Sequence, residues 1–428
     1  MSGLLSVLWN YFRAGQLSFT SRSALRLYQE RKLRTHLKWV SQNSSYYREF
    51  ENKPLEAWPL VDKKACLANF NTMNTVGLQL DKTMHFALAA ENMRDFDSTL
   101  SGYTIGLSSG TSGTRGLFVA SPRERTLWAG LALRRLLPEG IFRGERIAFF
   151  LRANSKLYTS VKTPLVSFKF FDLMAPLESQ LNGLALFKPS IIVAPAQVLR
   201  YLALKQQKSL ISLAPKKVIS VAEVLEDADR ELMLPSFPLI SQVYQATEGF
   251  LGYTCSHGRL HLNEEYLHIE PEWQDEHKTR MVPIITDFSR TSQPIIRYRL
   301  NDMLAINPTV CPCGNPTLTL AHIEGRCDDQ LSLPGRNGIP IPIFGDVMSR
   351  ILLRSLPLST DYRLVQTGNC AIRLTALLGP AKSEVMAKIN CMLQDLGVAV
   401  ESLHWTVLDR EPVFDPMSKR RRITRLIR

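Results

Sequence analysis

The stretch 107-LSSGTSGTRG-116 places three glycines and five hydroxyl side chains in ten residues, directly after Thr104, Ile105 and Gly106. Gly110, Gly113 and Gly116 let the backbone turn tightly and present several N–H groups on one concave side, and Ser108, Ser109, Thr111, Ser112 and Thr114 add hydroxyl donors. That chemistry suits phosphate oxygens, although a Gly/Ser-rich surface loop has the same composition. Two familiar phosphate motifs are excluded. A P-loop needs Lys and Ser or Thr directly after its second glycine, and no lysine lies between Lys82 and Lys156. The dinucleotide fingerprint needs its first two glycines two apart, whereas these come three apart.

Downstream of this stretch, Leu117 to Ala120 reads as a strand, and Pro122, Arg123 and Glu124 open a helical pattern that runs to Leu137. Apolar runs at 146–151, 190–194, 217–221 and 239–244 read as buried strands with helical stretches between them. This alternation predicts an α/β body with a largely parallel sheet. Upstream, apolar residues from Ser21 to Phe50 recur at three and four spacings, which predicts an amphipathic helix. In an open α/β sheet ligands lie beyond the carboxyl ends of the strands, so the turns at Ala222–Glu223 and at Gln245–Gly249 fall where a nucleotide would sit.

The second turn reads YQATEG. Tyr244 offers an aromatic face, Thr247 a hydroxyl and Glu248 a carboxylate of the kind Mg²⁺ takes together with phosphate oxygens. A helix start in which Thr247 caps and Glu248 favours the dipole would use the same residues. Further on come PIIRYRLNDML (294–304), with Asp302 at a strand end, and IEGRCDDQL (323–331).

In this order the segments resemble the motifs of the adenylate-forming (ANL) superfamily, and specifically its phenylacetate-CoA ligase-like branch, whose opening is similar to LYQERKLRTHLKWVSQNSSYYREF (27–50). The resemblance implies an α/β fold with a large N-terminal adenylate-forming domain of mixed sheets over residues 1–327 and a small, mobile C-terminal α+β domain over residues 328–428. It also implies ATP-dependent adenylation of a small carboxylic acid, an aromatic one in this branch, to acyl-AMP and pyrophosphate. Transfer to a thiol of coenzyme A or of an acyl carrier protein would follow.

By the same resemblance Ser108 to Gly116 would hold phosphate, with Arg115 contacting it. Tyr244 would lie against adenine, Thr247 on the α-phosphate and Glu248 on magnesium, with Ala222 and Glu223 binding the nucleotide from the other strand-end turn. Asp302 would accept from the ribose hydroxyls, Arg326 would reach the ribose or phosphate, Asp328 would be the hinge, and Lys419 would approach the reacting carboxylate. Four departures stand out. Arg115 alone precedes Gly116 where the superfamily has Pro-Lys-Gly, Gln245 and Asn301 replace glycines, and Ser418 precedes Lys419 where a glycine is usual.

The formal net charge of the 428-residue chain is +13, and residues 410–428 alone contribute seven basic and two acidic side chains, a local +5. A basic run is also the mark of a solvated tail, and a zinc-containing nucleic-acid-binding protein using that tail is the competing class. No aromatic-interleaved basic stripe elsewhere supports it. The odd count of seven cysteines argues against a disulfide framework and for a reducing, cytoplasmic compartment. Cys311 and Cys313, with Cys255 and either His261 or His257, make a candidate structural zinc set; unliganded thiols are the alternative. The first residues lack a signal-peptide pattern, and no run approaches the roughly 18 apolar residues of a membrane span.

Overall fold

The computed structural model describes residues 3–108, 115–413 and 420–426. Ser109, Gly110, Thr111, Ser112, Gly113 and Thr114 of the glycine-rich stretch, and Lys419, lie outside the described residues.

The chain opens with α1 (Gly3–Gln16), which hydrophobic spacing left unassigned, and α2 (Arg22–Asn43). Ser21 caps α2 by accepting from Ala24 N. The helix stops seven residues short of the predicted Phe50. Ser44 turns extended while its N–H still bonds Val40 O, and only a short 3₁₀ turn follows at Arg48–Phe50. Gln29 Nε2 donates to Glu264 O and Leu267 O, both at 2.9 Å, fastening α2 to the body. Next come α3 (Lys63–Ala68), α4 (Phe70–Met73) and α5 (Leu80–Asn92), then β1 (Thr104–Leu107) and β2 (Leu117–Ala120), which pair antiparallel on either side of the glycine-rich stretch.

Helix α6 (Pro122–Leu136) begins on a full capping box. Ser121 accepts from Glu124 N, the Glu124 carboxylate accepts from Ser121 N, and proline takes the first helical position. Glu124 also accepts from Ser292 N and Ser292 Oγ, tying the start of α6 to the loop at 291–292. Helix α1 lies directly against α6, where only glycine fits. A Cβ at Gly130 would stand 2.6 Å from Asn10 Cβ and 2.7 Å from Tyr11 N.

The predicted alternation is present: β3 (Glu145–Leu151), α7 (Lys156–Thr159), β4 (Val166–Asp172), α8 (Leu177–Phe187), β5 (Ile191–Ala194), α9 (Ala196–Gln207), β6 (Lys217–Ser220), α10 (Asp227–Met233) and β7 (Ile240–Gln245). Strands β4, β3, β5, β6 and β7 are parallel neighbours in that order. Strand β6 ends at Ser220, one residue before the predicted limit, and Ala222 just beyond it is left-handed at φ 65°. Runs such as IIVA are buried on both sides, as strands with helices on both faces require. One face packs under α6, and the other holds Phe150, Phe171, Leu184 and Leu199 with α8 and α9.

From β7 the same sheet continues, and it is no longer parallel. Strands β8 (Phe250–Thr254), β9 (Leu260–Leu262), β10 (Leu267–Trp273), β11 (Arg280–Asp287), β12 (Tyr298–Arg299), β13 (Asp302–Ile306) and β14 (Thr319–Arg326) pair antiparallel around a core with Tyr47, Trp58 and Met281. The sheet is therefore mixed.

After a 3₁₀ turn at Cys327–Asp329 the chain builds a second core. Strands β15 (Leu331–Leu333) and β16 (Ile341–Ile343) form a ribbon, followed by α11 (Gly345–Ser355), β17 (Tyr362–Gln366), β18 (Ala371–Ala376), α12 (Lys382–Asp395), β19 (His404–Asp409) and β20 (Ile423–Arg425). Strands β19, β18, β17 and β20 form a sheet in that order. Among the described residues no helix is long and apolar enough to cross a membrane.

Candidate active site

A cleft of about 1490 Å³ opens at the carboxyl ends of the parallel strands, bordered also by α11 and the arginines of the C-terminal run. Of the predicted site residues, Ser108, Arg115, Ala222, Glu223, Tyr244, Thr247, Glu248, Asp302, Arg326 and Asp328 all line it. Gly116 lies just behind, its N–H donating to Ser108 Oγ at 2.6 Å.

The nucleoside candidates meet directly. Tyr244 Oη donates to Asp302 Oδ2 at 2.6 Å, and burial together with that carboxylate holds the tyrosine far above its ordinary pKa, so it stays a donor. Asp302 is the cross-strand partner of Arg326 where β13 pairs β14. Glu248 Oε1 accepts from Tyr298 Oη at 2.7 Å, a partner that sequence reasoning missed. Residues 246–249 form a tight turn straight into β8, and no helix starts there, so Thr247 is not a helix cap. Arg290 Nη1 donates to the carbonyls of Thr247 and Glu248, at 3.3 and 3.4 Å. The glycine at 249 is required by space, because a Cβ there would stand 2.8 Å from Asp287 Oδ2. Asp287 is fully enclosed, and burial raises its pKa to about 6 although Ser289 donates to it.

The departures from the resembled motifs have structural partners. Gln245 Nε2 donates to Ala246 O and Gly249 O at 2.9 and 3.0 Å, and its Oε1 accepts from Trp128 Nε1 at 3.1 Å, fastening the turn to α6. Asn301 Nδ2 donates to Asp328 Oδ2 at 2.7 Å, so the residue in place of glycine holds the hinge candidate. Arg115 Nη2 lies 2.7 Å from Glu91, and its Nε donates to Ser108 O at 2.9 Å.

Arg420, Arg421 and Arg422 of the C-terminal run are paired with carboxylates. Arg422 Nη1 and Nη2 donate to the two oxygens of Asp229 at 3.0 and 2.9 Å, and Nη1 also to Glu226 at 2.7 Å. Arg420 donates to Asp361 at 2.7 Å and from its backbone to Glu223 at 3.0 Å, and Arg421 pairs with Asp329. Arg420 and Arg422 are buried. Among the described residues of the basic run, these three arginines are therefore matched by carboxylates and do not form a free cationic patch.

The Cys/His set converges away from the cleft. Cys255 Sγ lies 3.6 Å from Cys311 Sγ, Cys313 Sγ lies 3.4 Å from His261 Nε2, and the four ligand atoms are all within 4.8 Å of one another. These separations match the edges of a tetrahedral Cys₃His site. His261 Nδ1 meets Thr317 Oγ1 at 2.8 Å, which leaves Nε2 for a metal, and burial lowers its pKa to about 4, keeping the ring neutral. His257, the alternative, instead contacts Ser256 Oγ at 3.3 Å. All seven cysteines are free thiols.

A second cluster escaped the sequence reading. His322 Nε2 lies 3.0 Å from Asp346 Oδ2 and 3.6 Å from Glu324 Oε1, joining β14 to α11. The alternation of His322 and Glu324 on one strand was its sole signal.

No protein-family model and no curated protein sequence matches the chain. Solved structures do match. The chain is similar to 2-hydroxyisobutyryl-CoA ligase in the postadenylation state with an acyl-AMP, at TM-score 0.70 and 14% identity over 95% of this chain and 91% of that one. Against the same enzyme in its thioesterification state with CoA the TM-score is 0.56, at 14% identity over 94% and 90% of the two chains. An anthranilate CoA ligase in complex with anthranoyl-AMP aligns at 0.51, with 17% identity over 73% of this chain and 65% of that one. The chain has the fold of the adenylate-forming ligases.

Proposed function

We propose that this protein is an AMP-forming carboxylate ligase, which activates a carboxylic acid with MgATP to acyl-AMP and pyrophosphate and passes the acyl group to a thiol. The observation that carries this reading is the meeting of Tyr244, Thr247, Glu248, Asp302 and Arg326, which come from distant segments, on one cleft at the strand ends. The substrate carboxylate is itself the nucleophile, so catalysis is placement plus charge stabilisation and needs no covalent enzyme intermediate.

MgATP supplies the electrophilic α-phosphorus. In this reading Asp302 takes the ribose hydroxyls, Tyr244 orients Asp302 beside the adenine, Thr247 donates to the α-phosphate, and Glu248, oriented by Tyr298, holds magnesium. Residues 108–116 cradle the leaving pyrophosphate, and Lys419 offsets charge between carboxylate and phosphate. Residues 1–327 act as the large domain and 328–428 as the mobile one, turning at Asp328 to admit coenzyme A or a carrier-protein thiol. The Cys255, His261, Cys311, Cys313 set fits zinc, which would be structural because four protein ligands close the site.

Carboxylate-dependent exchange of labelled pyrophosphate into ATP tests the reading, with Glu248→Ala and Lys419→Ala as controls. Exchange that needs an acid and is lost in both variants is expected. Failure of every acid tried overturns it. AMP release with and without coenzyme A then separates a thiol ligase from an enzyme that uses another acceptor.

A further inference from the structure

The cleft reaches well past the residues assigned to the nucleotide. Its floor is the side of the parallel sheet that faces α6, where alternate residues border open space. These are Ile147, Phe149 and Leu151 on β3, Ile191 and Val193 on β5, and Ile219 on β6. Its roof is one stripe of α6, with Leu127, Trp128, Leu131 and Leu136 and, just past the helix, Leu137.

The lengths of the elements that line it bound its depth. From Leu127 to Leu137 the roof covers ten residue steps, about 15 Å at helical rise. From Ile147 to Leu151 on β3 the floor covers four residue steps, about 13 Å at strand rise. The mouth lies at Trp128 and Gln245, whose hydrogen bond stands beside Thr247 and Glu248. The inner end lies near the start of β6, where Lys217 Nζ donates to Leu136 O at 3.1 Å. Between mouth and end the named lining is hydrocarbon or aromatic ring. An empty apolar void lowers stability in proportion to its volume and does not hold water well, so one this deep is suited to a ligand.

We propose that this slot takes the hydrocarbon tail of a straight-chain carboxylic acid of roughly eight to twelve carbons, the length that ordinary carbon–carbon geometry fits into its depth. The carboxylate then stands at the Gln245 end, beside Thr247 and Glu248. A single aromatic ring fills only the outer half, so this substrate class differs from the aromatic acid that the family resemblance implies. The proposal rests on the adenylation reading for its chemistry and on the slot alone for its choice of acid.

The test is pyrophosphate–ATP exchange across straight-chain acids from acetate to hexadecanoate, with benzoate and phenylacetate beside them. It is paired with thermal shift by dodecanoate in the absence of ATP. We expect kcat/KM to rise roughly two- to fourfold per methylene up to about ten carbons and then to level or fall. Leu131→Trp should fill the slot, move the optimum to shorter acids and abolish the dodecanoate shift. Ile219→Phe repeats the test from the floor should Leu131→Trp fail to fold. A best rate with an aryl acid, or an unmoved chain-length profile in a folded variant, overturns the proposal. A dodecanoate shift that Leu131→Trp removes, with no exchange from any acid, supports the slot and overturns the adenylation reading instead.

Discussion

At the residue scale the site depends on polar groups whose partners are supplied by other segments. Asp302 is useful to a ribose only while its carboxylate is held in one orientation, and the Tyr244 hydroxyl at 2.6 Å holds it. Removing that hydroxyl leaves the ring and its packing in place. Tyr244→Phe should therefore raise the KM for ATP about tenfold, the worth of one hydrogen bond to a charged group, with little change in Tm; an unchanged KM would show that Asp302 is oriented without it. Gly249 is the opposite case, where an added atom is the problem. A Cβ there meets Asp287 Oδ2 at 2.8 Å, and that oxygen belongs to an enclosed carboxyl anchored by Ser289 N and Oγ. Gly249→Ala should cost about 1–3 kcal/mol in urea denaturation, the usual penalty of overpacking, and lose more if the turn shifts Glu248.

At the element scale, legibility followed the range of the forces involved. Helix α6 was readable because its start is written locally as Ser121, Pro122 and Glu124, and the capping box is present in the structure. Ser121→Ala should lower stability by about 1 kcal/mol in equilibrium unfolding, and a change within error would mean that the contacts of Glu124 with Ser292 alone fix this end. The strands β3, β5, β6 and β7 were readable because strands covered on both faces are continuous apolar runs. Helix α1 was not, since what fixes it is a close approach at Gly130, over a hundred residues away. The end of α2 was missed for a related reason. Apolar spacing continues past Asn43, and only the extended backbone at Ser44 breaks it. The convergence of Tyr244, Glu248 and Asp302 could be inferred from motif order. Tyr298 and Trp128 could not, because each joins the site through a tertiary hydrogen bond that no local pattern announces.

At the scale of the whole molecule, charge joins the two cores at two places among the described residues, and each makes a prediction. The first is His322, which faces Asp346 and Arg350 of α11 and Glu324 of its own strand, with Arg280 bonded to the same glutamate. Burial opposes protonation of His322, but hydrogen bonds to Asp346 and Glu324 outweigh it and raise the pKa to about 9. A histidine whose folded pKa is raised binds its proton more tightly in the native state. Its contribution, at most about 3 kcal/mol, is full below pH 6.5 and is lost as pH rises through 9. Tm should therefore fall across that window in the wild type and fall less in His322→Gln; equal slopes would remove His322 from the junction.

The second place is the arginine cluster, where sequence reading could count charge but not see its neutralisation. Arg422 is the central cation, shared among Asp229, Glu226 and Asp361, and Arg200 reaches Asp229 from α9. Asp229 and Arg422 are both almost wholly enclosed, so neither can turn to solvent when its partner is lost. Arg422→Ala should accordingly cost about 3–5 kcal/mol, more than any exposed pair could, because it leaves buried carboxylates uncompensated. The loss should also be local. Amide exchange should accelerate in β17 and β20, whose pairing brings Arg422 to the junction, while the parallel strands β3 and β5 keep their protection. Arg422→Lys should restore only part, since one ammonium cannot serve Asp229 as a planar fork and reach Glu226 and Asp361 as well. Uniform loosening of both cores would instead mean that the arginine stabilises the molecule as a single cooperative unit, and an unchanged Tm would remove the cluster from the set of forces that hold the two parts together.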